Sequence, residues 1–197
     1  MLPEALSGSE LARFARCVRD LRVDNLGAAG VRALLARLGI GDVPAAFVAR
    51  ALRGCPLLAP PAPSALGPLP CRVFCYAEYR VEAVGELLTG SLTRENGLRK
   101  DGGLPRPRWL RAVPLPIGAF VDRELCAEFQ LLEAACEVLA RGGRGGAPLT
   151  GASGSLQLVV NGTSCLSCVC AMRQFQILWP GMRLSVGMTC RGGAAGL

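Results

Sequence analysis

Between Arg72 and Glu82 the apolar residues Val73, Cys75, Ala77, Tyr79 and Val81 alternate with Arg72, Tyr76, Glu78, Arg80 and Glu82. A period of two predicts a long, half-buried strand, and Gly85 predicts a turn into a second strand around Leu87 to Leu92, closing a hairpin. From Asp122 to Arg141 the period becomes helical, with Leu125, Phe129, Leu132, Cys136 and Leu139 on one face turned to the sheet. After a Gly-rich loop (142–154), Leu156, Leu158 and Val160 predict a strand, and Asn161-Gly162 a turn. A helix then runs from about Cys165 to Leu178 and is stopped by Pro180. Met182, Leu184, Val186 and Met188 alternate as a last strand. A strand, helix, strand run crosses over right-handed and sets its two strands parallel. The expected fold is α/β: a hairpin, a helix, then βαβ, forming one mixed sheet with both helices on one side of it.

The first 54 residues predict three short helices. Ser7 and Glu10 form a capping box ahead of the stripe Leu11, Phe14, Ala15, Val18 and Leu21. Asn25 and Gly39 bracket the second helix; Asp42 and Pro44 open the third, which Gly54 closes. Cys55 to Pro70 holds six of the chain's 14 prolines and predicts an extended linker. The expected organisation is a helical N-terminal region (1–54), a Pro-rich linker (55–70), one principal domain (71–190) and a tail (191–197). Arg94 to Asp122, rich in Pro, Gly and Arg, reads as loop.

Composition narrows the setting. Of 197 residues, 51% are hydrophobic and 19% charged, enough for a real core. Ten cysteines are too sparse for a disulfide-held secreted scaffold, and Glu4 and Glu10 interrupt the place of a signal-peptide core. A reducing, intracellular location is therefore expected, in the cytoplasm or nucleus. Ala147 to Met172 carries no charge, but Gly, Ser, Thr and Asn break it up, so no membrane partner is expected. The formal charge of +7 suits a nucleic-acid partner; an Arg-rich coding bias would produce the same surplus.

Two cysteine motifs carry the chemistry. Cys126-Ala127-Glu128 opens the first predicted helix after the hairpin, and Cys165-Leu166-Ser167-Cys168 opens the next. Cys165 and Cys168, three apart, share one helical face and can chelate one ion, with Cys126 from the neighbouring helix completing a triad. Three thiolates leave the fourth position of a zinc ion open, and Glu128 stands by as a proton carrier that is not itself a ligand. Helix N-termini favour thiolates. Arg123 and Arg173, each about a turn from a ligand, are candidates for tuning the centre's charge, or are simply solvated helix arginines. Cys170, two past Cys168, leaves the shared face.

The stretches Asp122 to Glu133, Ser155 to Cys168 and Met172 to Val186 resemble the deaminase toxins of bacterial polymorphic toxin systems and their eukaryotic relatives in the cytidine deaminase-like superfamily. The resemblance covers about residues 71–188. It rests on an [H/C/D]-x-E motif opening one helix, a C-x-x-C opening the next, and a "QF…P" segment leading into the last strand. It implies a cytidine deaminase-like sheet and hydrolytic deamination of cytosine. The implied zinc ligands are Cys126, Cys165 and Cys168, with Glu128 catalytic. A toxin of this kind would add an immunity protein as partner. Two residues depart from the pattern: Ser164 stands where Pro is usual, and Cys126 where His is common.

Leu104 to Arg111 falls where such a fold borders its active-site mouth. There Arg106, Arg108 and Arg111 could pair with phosphates while Trp109 stacks on single-stranded bases, unless Trp109 packs beneath its own loop. Ser91 is a further substrate-contact candidate from its place in the hairpin. Three function classes stay open: a cytosine deaminase acting on DNA or RNA, with DNA favoured; a deaminase of free nucleosides or another nitrogen heterocycle; and an inactive zinc-stabilised binding domain. The basic Trp loop favours the first over the second, and Glu128 speaks against the third.

Overall fold

A computed structural model describes residues 27–59, 72–83, 86–97, 106–113, 122–141 and 151–189. The expected helix of Ser7 to Leu21, the turn at Gly85, most of the Pro-rich stretch (60–70) and the tail (191–197) lie outside the described residues. Eight helices and strands are formed there: α1 (Gly27–Arg37), α2 (Ala45–Gly54), β1 (Phe74–Ala83), β2 (Glu86–Glu95), α3 (Ala127–Arg141), β3 (Ser153–Val160), α4 (Leu166–Leu178) and β4 (Met182–Met188). The strands make one mixed sheet in the order β2-β1-β3-β4. β1 runs antiparallel to β2 and β3, and β3 parallel to β4, as a βαβ unit requires. The α/β architecture read from the hydrophobic periods is the one observed.

One face of the sheet carries α3 and α4. Cys75, Ala77 and Val81 of β1, Leu156, Leu158 and Val160 of β3, and Leu184 and Val186 of β4 form a continuous buried core with Phe129, Leu132, Cys136, Met172 and Phe175 from those helices. The other face is not bare. Phe74 and Tyr76 of β1 and Val159 of β3 are buried there against Phe47 and Ala51 of α2 and against Leu58. β1 is therefore covered on both faces at its start and half-buried only from Glu78 onward. The alternation misled because it counted Tyr76 as a polar position, whereas its ring packs on Phe47 at 6.3 Å and only its hydroxyl reaches a polar partner, Glu78.

The described part of the N-terminal region is tied to the sheet. Val31, Leu35 and Ile40 join the α3/α4 core, and Val186 N–H donates to the Gly41 carbonyl at 2.9 Å. Cys55 to Ala59, expected as the start of an extended linker, instead includes a 3-10 turn, Pro56–Leu58, with Leu58 fully buried. Proline fits the first position of such a turn because its missing N–H would have no partner there.

Two further differences shape the site. β2 continues through Arg94 and Glu95, where loop was expected; Arg72 forms a two-pronged ion pair with Glu95, one prong at 2.7 Å, across the end of the hairpin. The helix expected from Asp122 is broken. Asp122 accepts a hydrogen bond from Glu124 N–H at 3.0 Å and caps a 3-10 turn (Arg123–Leu125), Cys126 is extended (φ −64°, ψ 137°), and α3 begins only at Ala127.

Gly154, where β3 starts beside β1, has φ +149°, and an added Cβ would lie 2.0 Å from the Arg80 carbonyl oxygen. Gly154→Ala should cost about 2–3 kcal/mol of stability through strain and lost β1–β3 pairing. Gly151→Ala, with nothing within 4 Å of the added carbon, should be near neutral. Chemical denaturation of the two variants checks the contrast.

Candidate metal centre

The site begins with two helix starts. Cys165 is extended (φ −78°, ψ 162°) and its carbonyl accepts the first bond of α4 from Val169 N–H at 3.1 Å. Cys126 does the same for α3, accepting from Gln130 N–H at 3.0 Å. Each thiol thus stands at the lip of a helix, beside N–H groups that no helical carbonyl can satisfy and where the dipole favours negative charge. Cys168, one turn into α4, brings its sulfur to 3.4 Å from that of Cys165. The three sulfurs of Cys126, Cys165 and Cys168 lie within 4.8 Å of one another, the one group among the described residues so placed to hold a metal ion. A tetrahedral ion with bonds of about 2.3 Å spaces its sulfurs about 3.8 Å apart. The donor set is of the size such an ion needs.

The three thiols share charge unevenly. Hydrogen bonds from Cys126 and then Cys168 draw Cys165 well below the ordinary thiol range, helped by the positive charge of Arg123. Donating to Cys165 in turn holds the proton on Cys126, and Cys168 is raised by its two thiol neighbours and by burial. Negative charge is thus drawn to Cys165 and protons are held on Cys126 and Cys168, which a metal ion would have to displace.

Glu128 is the other half of the site. The residue is 4% exposed, and burial pushes its carboxyl up from 4.5 to about 7, against the opposing pull of its own backbone N–H. A carboxyl with that value gives and takes a proton near neutrality. Its position two residues after Cys126 would turn it to the opposite side within a regular helix, at about 100° per residue. Because Cys126 is still extended, both side chains instead line one pocket of about 380 Å³. Val73 before β1, Asn96 and Gly97 after β2, Arg123, and Thr163 after β3 complete its walls. The pocket opens beyond the carboxyl end of β3, where side chains from several connections converge.

Of the two arginines expected to tune the centre, Arg123 lines the pocket, while Arg173 is exposed and donates to Gln176 at 3.3 Å. Ser91 lies on the other side of the sheet: it pairs with Glu78, whose carboxylate meets Arg50 of α2 at 3.0 Å. Period two sends residue 91 away from the metal helices. The loop of Arg106, Arg108, Trp109 and Arg111 is strapped along the flank of α3 and α4. Glu133 accepts from the backbone N–H groups of Arg108, Trp109 and Leu110, the last two at 2.9 Å. The Trp109 indole N–H donates to Glu137 at 2.9 Å, nine residues or about 13 Å along α3 from Glu128. Its ring packs 6.2 Å from Trp179 under the Arg108 guanidinium at 5.0 Å, and Arg111 exchanges two backbone bonds with Gln174. Trp109 is thus partly buried and held by its indole N–H against α3, away from Glu128.

Two site residues escaped the sequence reading. Asn96 fell within the loop expected from Arg94 to Asp122; its Oδ1 accepts from Val73 N–H at 2.6 Å and ties the hairpin ends together at the pocket. Ser164 was noted only as the residue before Cys165 and proves to be wholly buried. Asn161, read as a simple turn, is buried too, accepting from Phe74 N–H at 2.8 Å. A separate cavity of about 370 Å³ lies between β2 and α3, with Leu92, Phe129 and Val138 among its apolar walls and Glu124, Glu133, Glu137, Arg94 and Arg141 also lining it. No helix among the described residues is long and apolar enough to cross a membrane.

No protein-family model, curated protein or solved structure matches the chain. The meaning of the site rests on its own chemistry.

Titrating the metal-free protein at pH 7 with cadmium should give one thiolate-to-metal charge-transfer transition and release about two protons per ion into a weak buffer. Cys165→Ser should weaken binding at least 100-fold. Release of three or more protons would show that the resting thiolate is absent.

Proposed function

We propose that the chain is a zinc-dependent hydrolytic deaminase that converts cytosine to uracil, with cytosine in a nucleic acid as the substrate. The observation that carries the reading is the buried Glu128 in the pocket lined by Cys126 and Cys165, two of the three clustered thiols. A purely structural zinc site has four protein ligands and no use for a carboxyl group whose burial costs stability. A three-thiol site with one position open and a proton carrier beside it suits hydrolysis. The sheet order, with both motif helices on one face and β3 parallel to β4, agrees with the cytidine deaminase-like fold that the motifs resemble.

Bound by Cys126, Cys165 and Cys168, zinc would supply an activated water at its fourth position. Glu128 would carry one proton of the attacking water to ring N3 as the C4–O bond forms. It would then carry the proton of the new C4 hydroxyl to the amino group, so that C4=O forms as the C4–N bond breaks and ammonia leaves. Its value of about 7 suits both directions of transfer. Arg123, in the pocket wall, offsets the negative charge of three thiolates. The polymer reading draws on the net charge of +7 and on Arg123 at the pocket.

Deamination of free nucleosides is the second reading, and one observation favours it. The basic loop that would have tracked a polynucleotide is fastened to the helix flank by Glu133, Glu137 and Gln174.

Glu128→Ala should keep its zinc and its fold but lose turnover by about 10³-fold or more, since the proton carrier is removed while the ligands stay. The assay compares a cytosine-containing oligonucleotide with cytidine, beside elemental analysis. Activity surviving in this variant contradicts the catalytic reading; preference for cytidine with no salt dependence moves the substrate to nucleosides.

A further inference from the structure

β2 is the outer strand of the sheet on the side away from β4, and among the described residues none pairs with its outer edge. The ladder decides which backbone groups that edge offers. Asn96, just past β2, donates its N–H to the Val73 carbonyl at 2.8 Å, so the even-numbered residues of β2 turn their backbone groups inward to β1. Leu87, Thr89, Ser91 and Thr93 therefore turn theirs outward. The same four residues are exposed, Leu87 by 53%. Natural sheets guard such an edge with Lys, Pro or a bulge. β2 has none of these: it carries no charge from Leu87 to Thr93, and its pairing with β1 runs unbroken from Glu86 to Glu95.

We propose that this edge is the interface for a second copy of the chain, the two β2 strands pairing antiparallel about a two-fold axis at Gly90. Outward groups must meet outward groups, so odd residues pair with odd. With the axis at Gly90, Thr89 pairs with Ser91 of the second copy and Leu87 with Thr93, each pair exchanging two backbone bonds. On the α3 side, Leu88 meets Leu92 of the second copy and Arg94 stands opposite Glu86. Leu88 and Leu92 already pack against the core, so their meeting carries the apolar layer under α3 across the axis. Neighbouring registers match poorly. An axis at Ser91 sets Leu88 against Arg94 and Leu87 against Glu95; an axis at Thr89 sets Glu86 against Leu92. Exposed ion pairs add little affinity, and the charges here serve to choose the register. The result is one continuous sheet across both copies, independent of what the metal centre does.

The test is sedimentation velocity of the full chain over a concentration series, in which the mean mass should rise from 20.6 kDa toward twice that value. Thr89→Pro removes an outward N–H and leaves the β1 ladder whole, so it should weaken association about 100-fold while far-UV circular dichroism stays that of the native fold. The register is read by cross-linking. Opposed residues of a hydrogen-bonded pair lie about 5.5 Å apart between Cα atoms, within reach of a disulfide. With oxidised glutathione, the double variant Thr89→Cys/Ser91→Cys should form covalent dimer about tenfold more readily than either single variant. A mass of 20.6 kDa at every concentration overturns the proposal. So does a dimer that Thr89→Pro leaves intact, which places the interface elsewhere. Linking by Ser91→Cys alone to the same extent as by the double variant overturns the Gly90 register.

Discussion

A carboxyl group enclosed in protein is the constraint around which this site is arranged. Glu128 is 4% exposed on a helix whose other buried residues are Ala, Phe, Leu and Cys. Burial raises its proton affinity until it sits near 7, a cost that its own backbone N–H offsets only in part. An apolar residue at position 128 would suit the core better. A buried ionisable group beside clustered thiols marks a candidate functional site.

The geometry behind this follows from chain topology. A parallel βαβ unit starts its helix beyond the carboxyl end of its first strand, so Cys165 emerges after β3 at that end of the sheet. α3 reaches the same end through a break: the 3-10 turn of Arg123 to Leu125 and the extended Cys126 replace one turn of regular helix. Had the helix run unbroken from Asp122, Cys126 and Glu128 would have diverged by most of a half-turn. The irregularity aims both residues at one point. Far from the pocket, the Arg108 to Leu110 backbone on Glu133, Trp109 on Glu137 and the Trp179 N–H on Cys136 at 3.3 Å brace the helix pair.

Much of this was legible in the chain. The strands declared themselves through alternating side chains, and the cysteine cluster through two motifs whose spacings matched helix starts. What the sequence hid was of three kinds. Tyr76 and Phe74 were invisible as core residues because their partner, α2, lies more than twenty residues away in sequence. Ser91 and the Arg106 to Arg111 loop were placed near the pocket by their position along the chain, but the side of a strand and the anchors of a loop are decided by tertiary pairing. Ser164 and Asn96 carry ordinary loop chemistry, and only their burial or bonding at the pocket distinguishes them.

An open three-thiol centre and a closed structural one differ in the atoms around the metal, and zinc-edge X-ray absorption of the loaded protein reads that difference directly. The account predicts three sulfurs at about 2.3 Å and one lighter oxygen or nitrogen neighbour at about 2.0 Å, unchanged in Glu128→Ala because the carboxyl is not a ligand. A shell of four sulfurs, or a light-atom neighbour that disappears with Glu128, would contradict it.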